Sequence, residues 1–88
     1  MEFEITNKFQ KQVLKCHDQA IKKKVAEVIK QVGNVQSMSE IKNLKKLTGF
    51  QNKYRIRIND YRIGIELLNK TFIFAAFDHR SDIYKYFP

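Results

Sequence analysis

The sequence predicts an α+β fold, in which an N-terminal strand and a helical hairpin pack on a mainly antiparallel, four-stranded twisted sheet with a short C-terminal tail. Three observations predict it. Apolar residues recur every three or four positions as far as Gly33, and from Lys53 onward they recur every second position. The chain has 88 residues, 43% of them hydrophobic, with seven Phe and four Tyr, which is enough for one modest core. The expected organisation is one domain over residues 1–88.

Phe3 and Ile5 alternate with Glu2, Glu4 and Thr6, a short strand pattern that stops at a helix-capping pair, Thr6-Asn7. Phe9, Val13 and Leu14, with Cys16 and His17 near the end, then follow helical spacing. Asp18 is placed to cap a second helix, along which Ile21, Val25, Val28, Ile29 and Val32 form an apolar stripe ending at Gly33. Residues 34–40 read as a polar connector. Ile41, Leu44 and Leu47 are three apart, which suits either a helical turn or an irregular segment pinned at three points. Three strands follow at Lys53–Ile58, Tyr61–Leu68 and Thr71 to about Asp78. Asn59-Asp60 and Asn69-Lys70 serve as tight turns between them, because Asn and Asp tolerate positive φ.

Lysine and arginine number 17 against nine acidic residues, a formal charge of +8 and an electrostatic footprint for polyanions. All four arginines (Arg55, Arg57, Arg62 and Arg80) lie in the second half of the chain. Arginine suits fixed, two-pronged phosphate contacts, whereas lysine is commoner as a solubilising charge. One cysteine excludes an intramolecular disulfide. The first residues show no signal-peptide pattern and nothing later approaches a membrane span, so the expected location is cytoplasmic, without membrane association. Two histidines and a cysteine without ligand spacing give no metal site, and no cofactor is expected.

The turns set a register. A two-residue turn at Asn59-Asp60 pairs Ile58 with Tyr61, Ile56 with Ile63 and Tyr54 with Ile65 on one apolar face. The other face then pairs Arg57 with Arg62 and Arg55 with Gly64. Like charges directly across a ladder repel, so this pairing implies an anionic guest. Gly64 leaves open space beside Arg55, which suggests a small basic depression. Carried through Asn69-Lys70, the same counting pairs Gly64 with Ala75 and Arg62 with Phe77, and the chain leaves this face near His79-Arg80. The plainer reading is that these arginines only keep an exposed sheet face soluble.

Four segments in order resemble the RelE/ParE superfamily of toxins from type II toxin-antitoxin systems. They are Asn43-Leu44-Lys45-Lys46-Leu47-Thr48-Gly49, Tyr54-Arg55-Ile56-Arg57, Asn59-Asp60-Tyr61-Arg62-Ile63 and Asp78-His79-Arg80-Ser81-Asp82-Ile83-Tyr84. The resemblance implies the family's fold and, on its RelE-like branch, a ribosome-dependent, metal-independent endoribonuclease that cleaves translated mRNA by 2′-oxygen attack. It also implies a small cognate antitoxin as partner, besides the ribosome and mRNA, and operator DNA through the antitoxin complex. By position it makes Arg57, Arg62, Arg80 and Tyr84 the expected catalytic residues, and His79 joins them because the neighbouring Arg80 charge disfavours its imidazolium form and leaves it usable as a base. Arg55, Lys45, Lys46 and Lys53 are the expected RNA-binding residues. Alternatives are a non-catalytic ParE-like toxin that inhibits DNA gyrase, and a degenerate toxin that binds only antitoxin or DNA.

Some members carry lysine where this chain has Arg55 and Arg57, and arginine cannot act as a proton acceptor. That leaves His79, Tyr84 or the ribosome itself to handle the proton. Asp78 stands where the family often has glycine. Cys16 reads as core packing, since Cys16 and His17 point about 100° apart on a helix. Lys22-Lys23-Lys24 reads as a solvated face or as a contact with ribosomal RNA. Tyr86, Phe87 and Pro88 read either as a packed tail or as a surface for the antitoxin.

Overall fold

The computed structural model describes all 88 residues. Strand β1 (Phe3–Ile5) leads into helices α1 (Asn7–Leu14) and α2 (Gln19–Asn34), followed by strands β2 (Leu44–Lys46), β3 (Lys53–Ile58), β4 (Tyr61–Leu68) and β5 (Thr71–His79). The strands form one sheet in the order β1-β5-β4-β3-β2, with β1 parallel to β5 and the other pairings antiparallel. The sheet therefore has five strands, one more than the sequence patterning suggests. The added strand is β2, cut from the ambiguous stretch around Leu44. Its three residues carry no legible period of their own and become a strand by pairing Leu44, Lys45 and Lys46 with Ile56, Arg55 and Tyr54.

Both predicted helix starts are capped by side chains. Thr6 accepts the amide of Phe9 at 3.1 Å, and Asp18 accepts those of Ala20 and Ile21 at 3.0 and 3.2 Å, satisfying donors that have no partner inside a helix. At the end of α2, Gly33 remains helical instead of forming a left-handed cap. A side chain at Gly33 would begin 3.2 Å from the Phe3 ring, so its smallness serves a close approach. The Met1 ammonium group meets the carbonyls of Val32 and Val35, the role a glycine cap would otherwise have filled.

The helices cover one sheet face. Phe9, Ile21, Val25 and Val32 pack there against Ile56, Ile58, Ile63, Ile65, Phe72, Phe74 and Phe77, with Cys16 buried beside them. The β3/β4 register agrees pair for pair with the one read from the turn, Arg57 opposite Arg62 and Arg55 opposite Gly64.

The β4/β5 register starts as expected, Leu68 opposite Thr71 and Ile65 opposite Phe74, and then shifts by one residue at a β-bulge. Beyond it Gly64 pairs with Ala76, Ile63 with Phe77, and Arg62 with Asp78. Because successive side chains alternate faces, the extra residue turns Phe77 into the core and exchanges the faces of everything after it. The driving force is burial. Without the shift the Phe77 ring, stacked on Tyr61 at 5.1 Å, would face outward and the Asp78 carboxylate would enter the core.

Candidate nucleic-acid interface

The outer sheet face carries three rows of side chains. Lys45, Arg55, Gly64 and Ala76 form the middle row, Arg57, Arg62 and Asp78 form the row nearest the β3/β4 turn, and Lys53, Glu66 and Ile73 form the row farthest from it. The turn row is the basic end. Arg62 is only partly exposed, and its guanidinium donates to the carbonyls of Asn59 and Tyr61, both at 2.9 Å. Arg55 is held by the carbonyl of Asn43 at 2.9 Å, where the backbone adopts a φ of 62° that asparagine tolerates. Arg57 is exposed and donates no side-chain hydrogen bond within the chain, leaving its guanidinium available to a ligand.

Arg80 follows the last strand and folds back on the same turn. Its amide donates to the Asp60 carbonyl at 2.7 Å and its side chain lies 3.7 Å from the Asp60 carboxylate. Both groups are well exposed, so this pair adds little stability but biases where Arg80 points. The chain then makes a short 3₁₀ turn, Ile83–Lys85, in which Ile83 is fully buried and Tyr84 is 49% exposed.

Electrostatics tie these residues together. Burial pushes the Arg62 guanidinium below its usual range, the Tyr84 phenol opposes that shift, and Arg55, Arg57 and Arg80 push in the same direction as burial. The register supplies the geometry beside this, with Arg57 directly across from Arg62, Arg55 in the next row, and Arg80 tied to the same turn through Asp60. Arginine keeps its proton through such shifts, so the cluster is a fixed patch of positive charge in which repulsion remains until an anion arrives.

Not every sequence-predicted residue joins it. The bulge places His79 opposite Tyr61 on the helix side, where the two rings meet edge to face at 5.6 Å, and its Nδ1 accepts the Ser81 amide at 3.2 Å. The expected grouping of His79 with the arginines is corrected accordingly, and Asp78 takes the outward position beside Arg62. The Asp78 carboxylate turns toward the sheet edge, where it accepts the Tyr86 hydroxyl at 2.9 Å. Lys45 lies on the arginine face across from Arg55, whereas Lys46 lies across from Tyr54 and so belongs to the opposite face. Lys53 is on the arginine face but is ion-paired with Glu66.

The depression expected beside Gly64 is filled. The Phe87 ring lies where a side chain at residue 64 would be, and Ala76, Ile83 and Phe87 form a second small core with Leu47 and Ala75. One signal for the bulge was present in the sequence. Phe72 and Phe74 are two apart, but the next aromatic, Phe77, is three further on, a change of parity inside a strand that only an extra residue accommodates.

A sheet with two helices on one face and a basic, tyrosine-flanked patch on the other defines the class of protein. A family model described as the ParE toxin of the type II toxin-antitoxin system parDE matches residues 3–84, and the chain belongs to this toxin family, within the RelE/ParE superfamily.

Its relatives include proteins of the RelE branch. Toxin RelE3 of Methanocaldococcus jannaschii is 44% identical over 69 residues, covering 77% of this chain and 78% of that one. A chain in the crystal structure of the RelB-RelE antitoxin-toxin complex from Methanococcus jannaschii matches with a TM-score of 0.80 and 36% identity over the full length of both. YafQ from E. coli shares the fold alone, at a TM-score of 0.65 and 13% identity over 94% of this chain and 97% of that one.

Proposed function

We propose that the protein is a RelE-type toxin that cuts messenger RNA while it is being translated. The observation that carries this reading is the arginine row of the outer face, in which Arg57 stands across from a partly buried Arg62 with Arg55 in the next row, Arg80 tied back to the same turn and Tyr84 in the short helix that follows. Cleavage proceeds by attack of a ribose 2′-oxygen on the adjacent phosphorus. A new P–O2′ bond forms, the P–O5′ bond breaks, and the proton lost from the 2′-hydroxyl is balanced by one gained at the leaving 5′-oxygen.

Arg57, Arg62 and Arg80 stabilise the extra negative charge of the phosphorane, with Arg62 held in place before substrate arrives by its bonds to the Asn59 and Tyr61 carbonyls. Arg55 and Lys45 hold neighbouring phosphates. The half-exposed Tyr84 ring stacks on a splayed base, and its hydroxyl is the one group in the cluster able both to donate and to accept a proton. With His79 on the far side of the sheet, the remaining proton handling and in-line placement fall to Tyr84 and the ribosome. The chemistry as written needs no metal or cofactor.

The partner that restrains such a toxin is a small antitoxin. The RelB-RelE complex supports this, and the +8 charge suits an acidic wrapping segment. A site of action on ribosomes places the protein in the cytoplasm, and no helix is long and apolar enough to cross a membrane.

Primer extension on ribosome-bound message tests the reading. Toxin-dependent cuts are expected with the wild-type chain, should be lost with Arg62→Ala and should be strongly weakened, though still measurable, with Tyr84→Ala. No cuts with the wild type, together with inhibition of purified gyrase in the absence of ribosomes, would replace it with the non-catalytic ParE-like function.

A further inference from the structure

We infer that Phe87 is a positioning residue, whose ring, seated on Gly64, fixes the Ile83–Lys85 turn and so holds Tyr84 on the arginine face of the sheet. The inference rests on the assignment of Tyr84 to the RNA site.

Tyr84 has little to hold it directly. Its side chain is half exposed, and it sits in a single turn of 3₁₀ helix, too short to be stable alone. Its position must come from its neighbours. On one side Ile83 is wholly buried. On the other, the Phe87 amide closes the turn by donating to the Ile83 carbonyl at 2.9 Å, and the Phe87 ring is 7% exposed. These two residues and Ala76 form the small core that seats the segment on the outer face.

The seat has a specific shape. A methyl group at residue 64 would lie 2.7 Å from Cδ2 and Cε2 of Phe87 and 2.9 Å from Cγ, nearer than carbon atoms approach. Gly64 is therefore the one residue type that lets the ring lie flat against the strand at that height. It stands in the middle row, beside Arg55 and next along β4 from the Arg57/Arg62 row. The glycine that an unfilled sheet face would offer to a ligand is used by the chain itself. RNA is thereby confined to the turn end, the row of Arg57 and Arg62. A second tether, the Tyr86 hydroxyl on Asp78, fixes the direction of the segment but lies at the sheet edge and does not bear on Gly64.

The test uses the full-length chain with its tyrosines replaced by 3-fluorotyrosine. The Tyr84 resonance is identified by its loss in Tyr84→Phe. In Phe87→Ala and Gly64→Ala the Tyr84 fluorine signal should narrow and move toward the free-tyrosine shift. The signals of Tyr54 and Tyr61, whose rings pack on the helix side, should stay in place and report an intact fold. If Phe87→Ala collapses those two signals as well, the milder Phe87→Leu decides by the same criterion.

Unchanged Tyr84 signals with unchanged Tyr54 and Tyr61 overturn the inference. In the cleavage assay Phe87→Ala should lower kcat/KM by about tenfold to a hundredfold, with kcat falling and KM rising, as expected for misplacement of a group that both stacks on the substrate and handles a proton. It should have no further effect in a Tyr84→Ala background. A further loss in that background also overturns the inference. Absence of ribosome-dependent cleavage by the wild type sinks the ribonuclease reading, while the fluorine spectra still decide whether Phe87 places Tyr84.

Discussion

Replacing Arg57 with glutamine should move stability and activity in opposite directions. Arg57 faces Arg62 directly across the β3/β4 ladder, and its own guanidinium donates nothing within the chain, so its removal sacrifices no internal bond. What it removes is a like-charge pair, and such cross-strand pairs are worth about 0.2–1 kcal/mol. The Arg57 side chain is exposed, so solvent screening puts the gain near the low end, about 0.3 kcal/mol. For a chain of this size that corresponds to a rise in Tm of about 2 °C.

In about 1 M salt, where the Debye length falls to ~3 Å, the difference should vanish. Cleavage of ribosome-bound message should fall by about 10²-fold, the low end of the cost of removing one donor from a charge-stabilising site, because the exposed Arg57 is less preorganised than Arg62. Thermal melts by circular dichroism at low and high salt, run beside the primer-extension assay, measure both quantities. A lower Tm for Arg57→Gln at low salt would refute the reasoning, because the pair would not then be repulsive in the free protein. Arg62→Gln is the contrast. It loses two bonds to the carbonyls of Asn59 and Tyr61 and should lower Tm while also abolishing cleavage.

Asp18→Ala should lower stability by about 1 kcal/mol in urea denaturation, since it strips the cap from two amides of α2, and should leave the intrinsic cleavage rate unchanged. Lys45→Ala should weaken single-stranded RNA binding and reduce the salt slope by about 0.7, whereas Lys46→Ala, on the other sheet face, should leave filter-binding curves unmoved. Burial, with the Asp78 hydrogen bond and charge adding to it, pushes the Tyr86 hydroxyl up to about 12 from its ordinary 10.0. A raised folded-state value favours the neutral phenol, so this contribution to stability is complete below pH 10 and is lost as pH rises toward 12. Tyr86→Phe should therefore lose less stability than the wild type across that interval in alkaline denaturation curves.

Much of the site was legible because it depends on local chemistry. Asn59-Asp60 is a turn whatever surrounds it, and the turn alone sets Arg57 against Arg62 and Arg55 against Gly64. The helix starts at Thr6 and Asp18 were equally local, each a side chain reaching amides two or three residues ahead. His79 was placed wrongly for a different reason. Its face depends on the count of residues between it and the Asn69-Lys70 turn, and one bulge inverts that count. The parity change from Phe74 to Phe77 signals the bulge only when the demand to bury three Phe rings on one face is considered together. The face of Lys46, named with Lys45 as an RNA-binding residue, was not legible because β2 exists only by pairing with β3.

The sequence by itself determined the order of the two helices and of strands β1, β3, β4 and β5, the helix N-caps, the β3/β4 register and the uneven distribution of arginine, since each follows from residues close together in the chain. Tertiary structure decided which face each residue beyond the bulge occupies, that Leu44–Lys46 is a strand, and what fills the notch at Gly64. These depend on contacts between residues far apart in the chain. Gly64 and Phe87 show the difference most directly, because an empty place in a strand says nothing about whether a ligand or the chain's own ring will occupy it until the packing of the whole face is known.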